Sequence, residues 1–170
     1  MTGSVVVREG REGDGPSVLR LWDEAIVWLV RRGQPGQWGT EPASTRALSR
    51  EMVREWETGT SLRIAEIDGE PVGACVIVRS APDYVPAIKL SETYLHFLVS
   101  DRKCAGMGVG AALVRRCADE ARAAGCEVLR VDCWADAPTL VAWYTRHGFT
   151  ASDTFTIGEN WRGQVFEMVL

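Results

Sequence analysis

The chain has no run of apolar residues approaching the ~18 that cross a bilayer, and no apolar leader segment at its N-terminus. Those absences point to a cytoplasmic protein with no membrane partner. Positive charge is not in excess either. Nineteen Lys and Arg stand against 23 Asp and Glu, a formal net charge of -4, so the basic field that a nucleic-acid backbone requires is missing and no nucleic-acid partner is expected. The five cysteines (Cys75, Cys104, Cys117, Cys126, Cys133) form no C-x-x-C pair and have no histidine at metal-ligand spacing. They read as buried, reduced thiols, with no metal site. Cys104, just before Gly106 and Gly108, is the one with a candidate route to solvent, and a buried space-filler is its favoured reading. Repeats, linkers and low-complexity stretches are absent, and 170 residues at 46% hydrophobic content suit one core better than two. A single domain over residues 1–170 is the expectation.

What the chain does have is an alternation of strand and helix patterns. Residues 5–7 read as a short strand. Val18, Leu19, Trp22, Ile26, Leu29 and Val30 recur at helical spacing over 16–32, so one face of that helix is buried, and Gly33 ends it. A glycine-rich loop over 34–39 leads to a second helix, capped by Ser44 or Thr45 and carrying Met52, Val53 and Trp56. Strands over 61–67 and 72–78 flank Asp68-Gly69, the turn signal of an antiparallel hairpin. A proline-broken loop over 80–91 leads to a strand over 93–100. Beyond a glycine turn, a helix buries Val109, Ala112, Leu113, Cys117 and Ala121 and stops at Gly125. A strand over 127–134, a helix over 138–147 opened by Pro138, and a hairpin with arms 150–157 and 164–169 complete the order.

The turn itself, Ala105-Gly106-Met107-Gly108-Val109-Gly110-Ala111-Ala112-Leu113, is the chemically pointed part of the chain. Glycine lets the backbone approach a ligand closely, and the first N–H groups of a helix are unpaired and partly positive. Such a turn cradles an anion, most often phosphate. Arg102, Lys103, Arg115 and Arg116 lie on either side of it. A nucleoside-triphosphate loop is excluded, because Gly110 is followed by Ala111 and Ala112 and not by Lys and Ser or Thr. A dinucleotide turn fits the letters better: Gly106, Gly108 and Ala111 match G-x-G-x-x-A, and Asp132 follows at about the ~20-residue offset of a ribose-binding acid. Against an NAD-binding protein stand the polar spacer Asp101-Arg102-Lys103-Cys104 and the lack of further strand-helix-strand units.

Tyr94 to Ser100 with the glycine turn after it, Leu140 to Phe149, and the element order together resemble the GNAT superfamily of coenzyme A-dependent N-acetyltransferases. Tyr94-Leu95-His96-Phe97-Leu98-Val99-Ser100 followed by Ala105 to Gly110 and Leu113 is similar to that family's strand, pyrophosphate loop and helix. Leu140-Val141-Ala142-Trp143-Tyr144-Thr145-Arg146-His147-Gly148-Phe149 is similar to its second signature, a helix with a tyrosine shortly before Gly-Phe. The resemblance covers nearly the whole chain. It implies an α/β GNAT fold, with a mixed, mostly antiparallel sheet that splays between two parallel strands, 93–100 and 127–134, where acetyl-coenzyme A binds.

The chemistry so implied is direct attack of an amine on a thioester, which needs a neutral amine, a stabilised oxyanion and a proton for the departing thiolate. By that resemblance Leu98, Val99 and Ser100 hold the pantetheine arm. The amides of Ala105, Gly106, Met107, Gly108, Val109, Gly110 and Ala111 hold the pyrophosphate. Tyr144 is the general acid, against the plainer reading of a buried core tyrosine. His96 shares a strand face with Tyr94 and Leu98 and leads as general base, against an ordinary half-buried histidine. Glu92 follows as base or acceptor contact, against a solvated charge. Trp28, Gln37, Trp38, Asp83 and Tyr84 are the acceptor-side suspects, with Trp28 favoured as a hydrophobic lid. Two positions depart from the family pattern: Ala105 replaces the usual arginine or glutamine, leaving backbone amides or Arg102 to compensate, and Ala137 stands where asparagine is frequent. The expected partner is a small-molecule or peptide amine, with a homodimer left open. A non-catalytic acyl-coenzyme A sensor of the same fold is the alternative function.

Overall fold

The computed structural model describes residues 3–170. In chain order the elements are β1 (Val6–Glu9), α1 (Gly15–Arg31), a 3-10 turn (Ala43–Thr45), α2 (Ala47–Thr58), β2 (Leu62–Ile67), β3 (Glu70–Val78) and β4 (Glu92–Ser100). A second 3-10 turn (Arg102–Cys104), α3 (Val109–Ala123), β5 (Val128–Trp134), α4 (Pro138–Arg146), β6 (Thr150–Ile157) and β7 (Trp161–Val169) follow. The strands are ordered β1-β2-β3-β4-β5-β7-β6 in a seven-stranded sheet. It is mixed, as expected. β4 and β5 pair in parallel, Glu92 through Leu95 against Val128 through Val131, whereas β1–β2, β2–β3, β5–β7 and β6–β7 are antiparallel. A dinucleotide fold requires successive parallel units, and this pairing pattern removes that alternative.

The chain forms two compact units. The first comprises residues up to Ile77 together with Phe97–Arg116, the second Val78–His96 with Cys117–Leu170. In the first, α1 buries Val18, Leu21, Trp22, Ala25, Ile26 and Leu29. Each of the Val, Leu and Ile side chains among them contributes about 1.5–3 kcal/mol of burial. Trp22 stacks on Trp56 of α2 at 6.0 Å between ring centroids and meets Phe97 edge-on at 4.9 Å. Gly33, with φ of 69°, ends α1 as its spacing required. The hairpin turn also follows the sequence: Asp68 and Gly69 both take positive φ, 53° and 82°, the signature of a primed turn.

Among the boundaries that differ from the sequence reading, three have a visible reason. β1 begins at Val6 and extends to Glu9 because Arg8 and Glu9 pair with Ile64 and Arg63 of β2. The start of α2 has no hydroxyl cap. Arg46 sits at the cap position, since the Ser44 amide and hydroxyl donate to Asp23 of α1 and the Thr45 hydroxyl donates to the Pro42 carbonyl. β7 starts at Trp161, where a tight turn at Gly158 lets Ile157 pair with Trp161.

In the second unit, Val85, Tyr94, Phe155 and Val165 form a buried cluster, and Tyr144 stacks on Phe166 at 5.4 Å. Arg130 of β5 is 0% exposed. It is held by Glu92 at 3.0 Å and by the Pro86 carbonyl at 2.9 Å, which ties the loop before β4 to the sheet. Among the described residues no helix is long and apolar enough to cross a membrane.

Candidate active site

The glycine turn belongs to the first unit, and its shape comes from Asp101. That residue is buried, its amide donates to the Val72 carbonyl at 2.7 Å, and its carboxylate accepts from the Lys103 amide at 2.8 Å. The chain therefore leaves β4 through a capped 3-10 turn instead of a straight continuation. Gly106 and Gly108 then adopt φ of 84° and 79°, with no heavy atom beyond the adjacent residues within 4 Å of where a Cβ would lie. Ala105 through Gly108 are exposed. The first turn of α3 is bonded from the Ala112 amide to the Gly108 carbonyl, so helix geometry leaves the amides of Val109, Gly110 and Ala111 for an anion. Two of the expected donors are otherwise engaged. Ala105 N–H donates to the Arg102 carbonyl at 3.3 Å and Met107 N–H to the Cys104 carbonyl at 3.1 Å. The arrangement fits a diphosphate-bearing coenzyme through the remaining amides.

The side chains around this turn also fall into place. Leu98 and Ser100 are half-buried and Val99 is buried, all at the end of β4. Cys104 is 2% exposed, in keeping with its favoured reading as a buried space-filler, and burial pushes its thiol pKa up. Cys126 is the partly exposed one. Trp28 is a platform for two guanidinium groups: Arg32 lies 4.5 Å and Arg102 4.2 Å from its ring centroid. Arg102 is thus fixed beside the turn as a cation. Trp38 packs into the aromatic cluster, 5.9 Å from Trp22 and 5.7 Å from Phe97.

The second unit gathers a buried polar group that sequence reasoning only half anticipated. The Tyr94 hydroxyl donates a short hydrogen bond to Asp132 Oδ1. Burial pushes the Asp132 carboxyl above its ordinary range, opposed by that bond and by the His96 charge. His96, half-buried, is held below 6.5 by desolvation, which Asp132 partly offsets. Tyr84, partly exposed and 5.3 Å from Phe155, has its phenol pushed up to about 12 by burial and by Asp132. Asp132 is therefore the common electrostatic neighbour of Tyr94, His96 and Tyr84. Asp132 appeared in the sequence only as a ribose-binding candidate, and Tyr94 only as a neighbour on the face of His96. Tyr144 is 7% exposed. Desolvation first, then Cys133, Asp132 and Cys117, drives its phenol well above 10, so it stays protonated at neutral pH.

Glu92 has both carboxylate oxygens engaged within the protein. One carboxylate oxygen accepts from Arg130 and the other from the Ala81 amide at 2.9 Å. It is thus no solvated charge, and the two bonds tie the loop before β4 to the sheet.

Comparison with known proteins agrees with these features. The acetyltransferase (GNAT) family matches residues 21–149. A mycothiol acetyltransferase from Sanguibacter keddieii is 30% identical over 103 residues, 61% of this chain and 32% of that protein. The matched segment is thus about a third of that relative's length. A GNAT-family acetyltransferase from Listeria monocytogenes superposes with a TM-score of 0.72 at 19% identity, covering 100% of this chain and 99% of the other. A GCN5-related N-acetyltransferase from Rhodopseudomonas palustris gives 0.72 at 20% identity, with 100% and 99% covered. With the family match spanning most of its length and the parallel β4–β5 pair beside a capped glycine turn, this chain belongs to the GNAT acetyltransferase family.

Proposed function

We propose that residues 1–170 act as a single N-acetyltransferase domain that moves the acetyl group of acetyl-coenzyme A to a primary amine of a small molecule or peptide. The observation that carries this reading is the turn after β4, where two left-handed glycines and the start of α3 present unpaired amides. Acetyl-coenzyme A supplies an acyl thioester. The amides of Gly106 and of Gly108 to Ala111 hold its pyrophosphate, and Arg102 adds positive charge in place of the side chain that Ala105 lacks. The backbone of Leu98, Val99 and Ser100 lies alongside the pantetheine arm.

An amine attacks only when neutral. His96 is kept unprotonated at pH 7 by desolvation and is the group that takes up the amine proton. The Asp132 carboxylate, set by its bond to Tyr94, favours the imidazolium that results. Tyr144, protonated at this pH, donates to the thiolate as the C–S bond breaks, so the thiol leaves neutral. Trp38 and Tyr84 are the acceptor-side contacts. Trp28 acts indirectly, by fixing Arg102.

Thiol release with acetyl-coenzyme A and a panel of primary amines tests the proposal. Acceptor-dependent release is expected for the wild type, with at least a tenfold lower kcat for Tyr144→Phe. Coenzyme binding without release across a broad panel would favour an acyl-coenzyme A sensor, and an unchanged kcat in the variant would remove Tyr144 from the chemistry.

A further inference from the structure

The first unit contains three buried hydrogen-bond donors with no acceptor. They are the indole Nε1 of Trp22 and the Nε and Nη2 of Arg46. Trp22 is 6% exposed. The Arg46 guanidinium lies over the Trp22 ring, 5.4 Å from its centroid, so the orphaned donors belong to two side chains in direct contact. Trp38 borders it, with its ring edge-on to Trp22 at 5.9 Å and its carbonyl accepting from Arg46 Nη1 at 3.4 Å. That distance is at the outer limit of a hydrogen bond. Phe97 supplies another apolar wall, 4.9 Å from Trp22.

Buried donors without acceptors are costly, and a cationic guanidinium in an aromatic setting more so; the cation–π contact offsets only part of that. Neither side chain carries an acceptor atom, so the group that completes the patch must be an acceptor, and one that accepts without donating satisfies the most donors. A carboxylate has that character. It also matches the planar fork of arginine and brings the one negative charge the patch lacks. An ammonium would be repelled, and a hydroxyl would satisfy fewer of the donors.

We infer that Trp22 and Arg46 form a carboxylate subsite for the acceptor, so that the preferred substrates are amines bearing a carboxylate, the amino-acid class. This rests on the acetyl-transfer reading given above. The carboxylate reaches the guanidinium by displacing the long Trp38 contact, and the aromatic walls strengthen the pair by excluding water.

The experiment compares kcat/KM for amino acids with kcat/KM for their amides, in the wild type and in Arg46→Met. The wild type is expected to favour the acid at least tenfold, through KM, and the variant to bring the ratio close to one. Trp22→Phe, which removes one donor and keeps a ring, is expected to lower the ratio by a smaller factor. Arg46→Lys keeps the charge without the fork and serves if the methionine variant fails to fold; it too is expected to narrow the preference. Calorimetric titration with benzoate, independent of turnover, is expected to show saturable binding that Arg46→Met abolishes. Equal use of acids and amides by an active wild type would overturn the subsite and leave acetyl transfer standing. Arg46-dependent benzoate binding in a protein that acetylates no amine would do the reverse. Inorganic phosphate binding more tightly than benzoate at equal ionic strength would overturn the assignment to a carboxylate.

Discussion

At the scale of single residues, Asp132 carries opposed demands. Its folded pKa is raised mainly by burial, so the folded state binds more protons than the unfolded one above pH 3.8, and stability falls as pH rises through that window. Asp132→Asn removes the penalty while keeping an acceptor for the Tyr94 hydroxyl. The expected outcome is a melting temperature at pH 8 no lower than wild type, together with at least a tenfold loss of kcat/KM; a destabilised variant would show that the charge is structural. His96 has the opposite sign. Its folded pKa is lowered by desolvation, so between that value and 6.5 the unfolded state binds more protons, and stability declines as the solution is acidified through this range. The same protonation removes the proposed base. The rate profile is therefore expected to fall on the acid side at a pH below 6.5, and His96→Gln to lose that limb along with most of the rate. A limb that survives the substitution would assign it to another group.

At the scale of elements, the turn between β4 and α3 separates stability from binding. Gly108 has φ of 79° and open space around the Cβ position, so Gly108→Ala meets no clash and pays only for its left-handed backbone, about 1 kcal/mol. Relaxing that strain rotates the amides that point toward the pyrophosphate. Chemical denaturation should show the small stability loss, and titration should show the Kd for acetyl-coenzyme A rising at least tenfold; an unchanged Kd would mean that the cradle amides are not used. β1 and the start of α1 give a contrasting case. Asp14 is desolvated, which raises its pKa, yet the Arg8 guanidinium and the Arg11 amide hold it below 3.8. Its contribution is present above the unfolded pKa and is lost as pH falls through the folded one. Asp14→Asn should cost about 2 kcal/mol near neutrality and less as the solution is acidified below pH 3.8, without altering KM for acetyl-coenzyme A.

At the scale of the molecule, what could be read from the chain was what local chemistry determines. Gly33, Gly125 and Asp68-Gly69 mark real ends and turns because only such residues take their positive φ, and the α3 stripe from Val109 to Ala121 is buried as its spacing demands. The Ser44 cap failed because Asp23, 21 positions earlier, takes both its amide and its hydroxyl. The polar group in the second unit was hidden for the same reason. Periodicity places Tyr94 and His96 on one face of β4, but only the parallel register, which sets Leu95 against Val131, brings Asp132 beside them. Arg46 and Trp22, 24 positions apart in the chain, likewise become neighbours only when α1 and the start of α2 pack. The coenzyme reading, by contrast, rests on a continuous stretch and has a consequence for the whole fold. A ligand that binds only the folded chain stabilises it by about 2.7 kcal/mol at a hundredfold excess over Kd, which for a protein of this size is a rise of roughly 5–11 °C in Tm. Acetyl-coenzyme A should produce that rise in a thermal melt and NADH should not, because β1–β2, β2–β3, β5–β7 and β6–β7 are antiparallel where a dinucleotide site needs successive parallel units. Stabilisation by NADH alone would mean that the glycines serve a different phosphate ligand and that the amine-transfer reading fails with them.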